Sequence, residues 1–161
     1  MKTPWGRNGV EQAGVRLDEH AQPGTGSTDA FGTLTFLYLV DRDVAVFASS
    51  GHRRTGRNAF GYRYGNSFLS NVAYEHKLGG ASDGVVELSF RHAAEDVLDA
   101  LGTKDTDTGG SLLYVTARVL ASLGHGLVLR AAVLVPLLRG LNGFQKERAV
   151  PNLGLSCILR R

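Results

Sequence analysis

Leu112 to Leu138 reads LLYVTARVLASLGHGLVLRAAVLVPLL, the most apolar stretch of the chain, and its interpretation decides the fold. As one membrane-spanning helix it would place Arg118 and Arg130 in hydrocarbon, at a cost of about 2.5 to 3.5 kcal/mol each on insertion scales, with Gly124 and Gly126 at its centre. Split at Leu123-Gly124-His125-Gly126, it becomes two runs that each alternate. In the first, Leu113, Val115, Ala117, Val119, Ala121 and Leu123 share one face, while Tyr114, Thr116, Arg118 and Ser122 share the other. In the second, Leu127, Leu129, Ala131, Val133, Val135 and Leu137 lie opposite Arg130. A period of two carries both arginines away from the apolar face, so the stretch predicts a β-hairpin.

The same alternation recurs along the chain. Ala30, Gly32, Leu34, Phe36, Tyr38 and Val40 lie opposite Thr33 and Thr35; Val44 to Thr55 follows after Asp41-Arg42-Asp43. Tyr62 to Leu78 is a further strand candidate, then Val86, Leu88 and Phe90 against Glu87, Ser89 and Arg91, and finally Leu153, Leu155, Cys157 and Leu159. These make about seven strands of roughly 10 to 15 residues, long for a soluble sheet and sufficient to cross an outer membrane. The links near 41–43, 79–84 and 124–126 are short, and those near 55–61, 95–109 and 139–148 are long and polar. Strict alternation of short and long links is the pattern of an up-and-down barrel with tight periplasmic turns and longer outer loops. The expected fold is therefore all-β, an antiparallel up-and-down transmembrane β-barrel in a single domain, 1–161. In this reading residues 1–27 are an outer loop, with its core at 6–27, that follows a missing or partial strand, and 28–160 hold the strands. Bacterial single-chain barrels have an even strand count and periplasmic termini, so an odd count of seven predicts an ascending strand before Met1 and a barrel incomplete at its N-terminus. The opening MKTPWGRNGVEQ lacks the apolar segment of a secretory signal, which this reading places upstream.

Composition agrees with such a barrel. Hydrophobic residues make up 43% and charged residues 20%, and the mean hydropathy is −0.07. A barrel averages an apolar outside with a polar lumen and gives such values, whereas a helical membrane protein would be far more apolar. Basic and acidic residues are interleaved at a net charge of +3, so nucleic-acid binding is not expected. The lone Cys157 excludes an internal disulfide, and its neighbours Leu155 and Leu159 suit a packing role.

No pattern of catalytic chemistry emerges. Asp105-Thr106-Asp107-Thr108-Gly109 opens like a calcium loop, but the twelfth position is Thr116 rather than an acid, so a solvated loop is expected. Gly24-Thr25-Gly26-Ser27 lacks the lysine and spacing of a phosphate loop and reads as a turn. His20, His52, His76, His92 and His125 form no metal-binding pair, and no serine sits in a nucleophile elbow. The expectation is no catalytic residue, no metal and no cofactor. The better candidates are charges facing away from the apolar surface: Glu75, Lys77, Glu87, Arg91, Arg118 and Arg130, pointing into the lumen to line a polar path or to pair into a plug. A second group, His52, Arg53, Arg54 and Arg57, forms an expected basic cluster at the outer rim that could meet lipopolysaccharide phosphates. Phe60, Tyr62, Tyr64 and Phe144 near the same rim suit an aromatic girdle.

Four segments, LDEHAQPGTGS (17–27), GRNAFGYRYGNSFLSNVAYEHKL (56–78), DTGGSLLYVTARV (107–119) and VPLLRGLNGFQKE (135–147), resemble the transporter-like outer-membrane proteins grouped with the MetA-pathway of phenol degradation. In that family a PGTGS outer loop precedes a strand, and a V/I-P element with an L-N-G-x-Q loop precedes the last strand; MKTPW is similar to the end of its ascending strand. The resemblance covers nearly the whole chain through motifs that are structural. It implies a bacterial outer-membrane location, a channel or transport role for small molecules, hydrophobic ones among them, and partners in outer-membrane lipid, lipopolysaccharide and the barrel-assembly machinery. One departure is the C-terminus: such barrels end on an aromatic residue read by that machinery, whereas this chain ends Cys157-Ile158-Leu159-Arg160-Arg161. Two other functions fit the pattern less well. One is a structural or surface-interaction barrel with a filled lumen. The other is a soluble lipocalin-like ligand binder, which would need its apolar residues inside.

Overall fold

The structure is a computed structural model that describes residues 11–12, 15–16, 25–98 and 102–157. The expectations for most of the loop at 6–27, for MKTPW and for residues 158–161 lie outside the described residues. Eleven strands and no helix occur among them: Glu11–Gln12 (β1), Val15–Arg16 (β2), Ala30–Leu39 (β3), Val44–Arg54 (β4), Ser67–Gly79 (β5), Ser82–Ala93 (β6), Asp96–Val97 (β7), Lys104–Asp105 (β8), Gly110–Gly124 (β9), Leu127–Leu141 (β10) and Val150–Cys157 (β11). Seven of these, β3, β4, β5, β6, β9, β10 and β11, lie side by side in chain order as one antiparallel meander. The expected all-β antiparallel sheet is present. It is open, with β3 and β11 at its two edges, unpaired with each other.

Short connections are set by local turn chemistry. Between β9 and β10 the two loop residues His125 and Gly126 both have positive φ, 52° and 79°, the type I′ geometry whose twist matches that of the flanking strands. Between β3 and β4 the amide of Asp43 donates to Asp41 Oδ1 at 2.7 Å, a side-chain turn that lets Val40 N bond Val44 O at 3.0 Å. The alternation at 62–66 misled the sequence reading, because β5 starts at Ser67. The Tyr62 amide and carbonyl are both spent on Asn58, and Arg63 bridges Val97 instead of joining the main sheet.

Register fixes two faces. One carries Leu34, Phe36 and Tyr38 from β3, Val44, Val46 and Ala48 from β4, Val72 and Tyr74 from β5, Val86 and Leu88 from β6, and the odd-numbered apolar residues of β9 and, as far as Val135, of β10, with Leu153 and Leu155 at the far edge. The opposite face carries Thr33, Thr35, Ser49, Asn71, Glu75, Glu87, Ser89, Thr116, Arg118, Arg130 and Asn152, together with Phe31, Leu37, Leu39 and Phe47 near β3. The mixed, more polar face is the sheltered one: Val85 is 6% exposed while its neighbour Val86, on the apolar face, is 51% exposed. At the edge, Leu153 is 76% exposed. Soluble domains bury such a face against a second layer, and among the described residues no such layer exists. The chain exposes 11585 Å² in total, against about 7800 Å² for a compact folded monomer of this mass.

Candidate functional site

The six charges expected on the polar side, Glu75, Lys77, Glu87, Arg91, Arg118 and Arg130, do share the sheltered face. Register places Glu75 beside Val85, Lys77 beside Asp83, Glu87 beside Thr116, Arg91 beside Leu112, and Arg118 and Arg130 beside Ala132 and Leu120. Two of them meet as an ion pair: Arg118 Nη2 donates to Glu87 Oε2 at 3.2 Å, and Ser89 Oγ donates to the other carboxylate oxygen at 2.8 Å. With side chains 33% and 21% exposed, this pair is worth at most about 1 kcal/mol. Arg91 and Arg130 have no ion-pair partner among the described residues.

The four basic residues expected at the outer rim are not brought together. Alternation along β4 turns His52 and Arg54 to the apolar face and Arg53 to the sheltered one. Arg53 is engaged by Asp29 through Nη2 at 2.6 Å and Nε at 3.2 Å, and Arg57 Nη1 donates to Gly61 O at 2.7 Å. Asp29 also accepts from Ser27 Oγ at 2.8 Å and Gly56 N at 3.1 Å. Partial burial pushes the Asp29 carboxyl upward, but the bonds from Arg53, Ser27 and Gly56 outweigh it and hold the group below its ordinary value. A depressed carboxylate contributes stability above its unfolded pKa, about 3.9, and loses it as pH falls through the lower folded value. Wild-type stability is therefore expected to fall more steeply than that of Asp29→Asn between about pH 5 and pH 3 in urea titrations. Exposure keeps the difference to about 1 kcal/mol or less; parallel acid limbs would show that Asp29 holds nothing.

The long connections form a tied rim, which sequence reading took for solvated loops. Asp96 is buried at 6% exposure. Its carboxylate accepts a short hydrogen bond from the Tyr62 hydroxyl and another from Gly65 N at 2.7 Å, while its amide donates to Thr108 Oγ1 at 2.8 Å. Burial, followed by the Asp96 hydrogen bond, pushes the Tyr62 phenol above its ordinary range. Tyr62 is thus an internal anchor, packed edge-on against Tyr64 with centroids 5.0 Å apart, and not part of an outward girdle. Phe60 and Phe144 are exposed. Asn142 Nδ2 donates to Thr108 O at 2.8 Å and Gln145 Nε2 to Asp107 O at 2.9 Å, so the third connection is tied to the second. The backbones approach so closely that a Cβ at Gly65 would collide with the Ala94 carbonyl, and one at Gly110 would lie 2.6 Å from Leu141 Cα. Gly110 also has φ 115°, open to glycine alone at little cost.

Two hollows flank Arg53, Ser67 and Arg91. One, of about 450 Å³, lies under the tied rim against Tyr64, Asp96, Thr108, Gln145 and Glu147. The other, of about 440 Å³, lies on the sheltered face between Phe31, Thr33, Ser49, Gly51 and Leu69. Among the described residues no group of three His, Cys, Asp or Glu side chains is placed to hold a metal ion. No family model, curated protein or solved structure matches the chain.

Proposed function

We infer that this sheet is part of the wall of an outer-membrane β-barrel that acts as a channel or transporter for small molecules. The apolar face carries the reading: it runs across all seven strands with nothing among the described residues covering it, and a contiguous exposed apolar surface of that extent marks a membrane or partner contact. Lipid outside, charges inside is the arrangement of a transmembrane barrel strand. Aromatic residues sit toward both ends of that face. Phe68 and Phe90 pack together at 6.4 Å near the tied rim, and Tyr38 and Tyr74 share one register row toward the short turns. Phe68 and Tyr74 are six residues apart, about 20 Å along a strand, comparable with an apolar band about 25 Å tall between two girdles. No helix among the described residues is long and apolar enough to cross a membrane, which bears on helices alone.

A lipocalin-like soluble binder is disfavoured because its apolar residues would lie on the sheltered side, where Glu87, Arg91 and Arg118 are found. A structural barrel with a filled lumen shares the same wall and differs in conductance. Secreted in a Gram-negative host, the chain is expected to sediment with the outer membrane and to resist carbonate and urea extraction. Made without detergent, it is expected to aggregate through its open edges and apolar face. A monodisperse soluble monomer in plain buffer would overturn the barrel, and a membrane-inserted but non-conducting protein would favour the filled lumen.

A further inference from the structure

The 440 Å³ hollow on the sheltered face sets charged, hydroxyl and apolar side chains next to one another. Register sets Arg91 beside Leu69, with Gly51 and Thr33 continuing that row, and Arg53 between Phe31 and Ser67 in the next; the hydroxyls of Thr33, Ser49 and Ser67 complete the lining. Phe31 is 77% exposed. The Arg53 charge is balanced by Asp29 at 2.6 Å, whereas Arg91 has no carboxylate partner among the described residues. The hollow therefore carries one guanidinium without a direct ion pair among the described residues. Ser49 Oγ accepts from Asn71 Nδ2 at 3.1 Å, which directs its own proton elsewhere as a donor. The floor is Gly51, where an added Cβ would lie at ordinary contact distance, 3.6 Å, from Thr33 Oγ1.

The geometry points to a binding site for a small monocarboxylate with a compact apolar body. The carboxylate pairs with Arg91 in the planar, two-pronged manner that suits a guanidinium, the hydroxyl of Ser49 or Ser67 donates to its second oxygen, and the body lies on Phe31 and Leu69. The volume falls in the range of small-molecule sites. An ammonium compound would meet an unpaired cation, and a neutral analogue would leave that cation unsatisfied. The proposal rests on the channel reading in one respect: it makes the hollow a station on the sheltered, solute-facing side of the wall. Binding itself requires neither insertion nor an open pore.

The test is a fluorescence titration of the full chain, folded in detergent micelles, with 2-naphthoate and with its uncharged analogue 2-naphthamide, each corrected for partition into protein-free micelles. Saturable naphthoate binding is expected, at least tenfold tighter than that of the amide. Arg91→Gln is expected to lose that preference, Arg91→Lys to keep part of it, and Gly51→Leu to remove binding of both compounds by filling the floor. Circular dichroism checks that each variant retains its strands, and the Arg91 pair preserves the test should Gly51→Leu fail to fold. No saturable binding by wild type, equal affinity for acid and amide, or naphthoate binding unchanged in Arg91→Gln would each overturn the site. Naphthoate binding without membrane insertion or conductance would leave the site standing and remove the channel.

Discussion

On the proposal that the sheet is a barrel wall, Leu88→Arg is expected to destabilise the folded protein by about 2 to 4 kcal/mol, the cost of a guanidinium at the middle of a barrel's lipid face. Leu88 lies midway along β6, opposite Val72 on one side and Val115 on the other, and is 47% exposed. Ser89→Arg, one residue along, places the same charge on the sheltered face beside Glu87, where a carboxylate is at hand. Its expected cost is within about 1 kcal/mol. Urea unfolding from lipid vesicles measures both. A large difference between adjacent positions is specific to a wall with lipid on one side. Equal effects, or a Leu88→Arg protein that becomes a stable soluble monomer, would point instead to a face covered by another protein or by water.

Asp96→Ala should cost about 3 to 5 kcal/mol, a large share of the total of about 5 to 15 kcal/mol for a typical fold. The carboxylate satisfies the Tyr62 hydroxyl and the Gly65 amide together, and each buried donor left without an acceptor costs about 1 to 3 kcal/mol. Asp96→Asn keeps one acceptor oxygen and should lose about half as much. Tyr62→Phe removes one donor and its need at once, and should cost about 1 kcal/mol. Hydrogen exchange locates the effect: the Arg63 and Val97 amides, paired to each other's carbonyls at 2.9 and 2.8 Å, should lose protection before those of β9. A cost below about 1 kcal/mol for Asp96→Ala would mean that water replaces the carboxylate and that the rim is not a tied unit.

The strands were legible because a half-buried pleat writes its two faces into the sequence with a period of two. Leu113 through Leu123 against Tyr114 through Ser122 needed no further information. The shared face of Glu75, Glu87, Arg118 and Arg130 followed from the same arithmetic carried across the sheet. The arithmetic failed where backbone hydrogen bonds turned inward. Tyr62, Tyr64 and Asn66 alternate like a strand, but their surroundings are made by Asn58 and by residues far along the chain. The Tyr62 and Asp96 partners are 34 residues apart, and so are Asn142 and Thr108. No local pattern announces a contact at that separation, and the polarity that suits an internal hydrogen-bond network is the same polarity that suits a solvated loop. The basic run at 52–57 shows the same rule from another side: His52 and Arg54 are placed on one face and Arg53 on the other by the very alternation that predicted the strand.

Engineers usually place tags and inserted domains in a protein's longest loops, where chain is plentiful and contacts are few. Here that habit would select the wrong end. An epitope spliced into 55–66 or 105–109 would have to part backbones that leave no room for a single methyl group at Gly65 or Gly109. At Gly80, and beside His125 at Gly124, an added side chain would meet nothing within 4 Å, and lengthening a hairpin loop costs only about 0.6 kcal/mol per doubling. The tight turns are the permissive sites for a reporter, and the generous loops are the ones to leave alone.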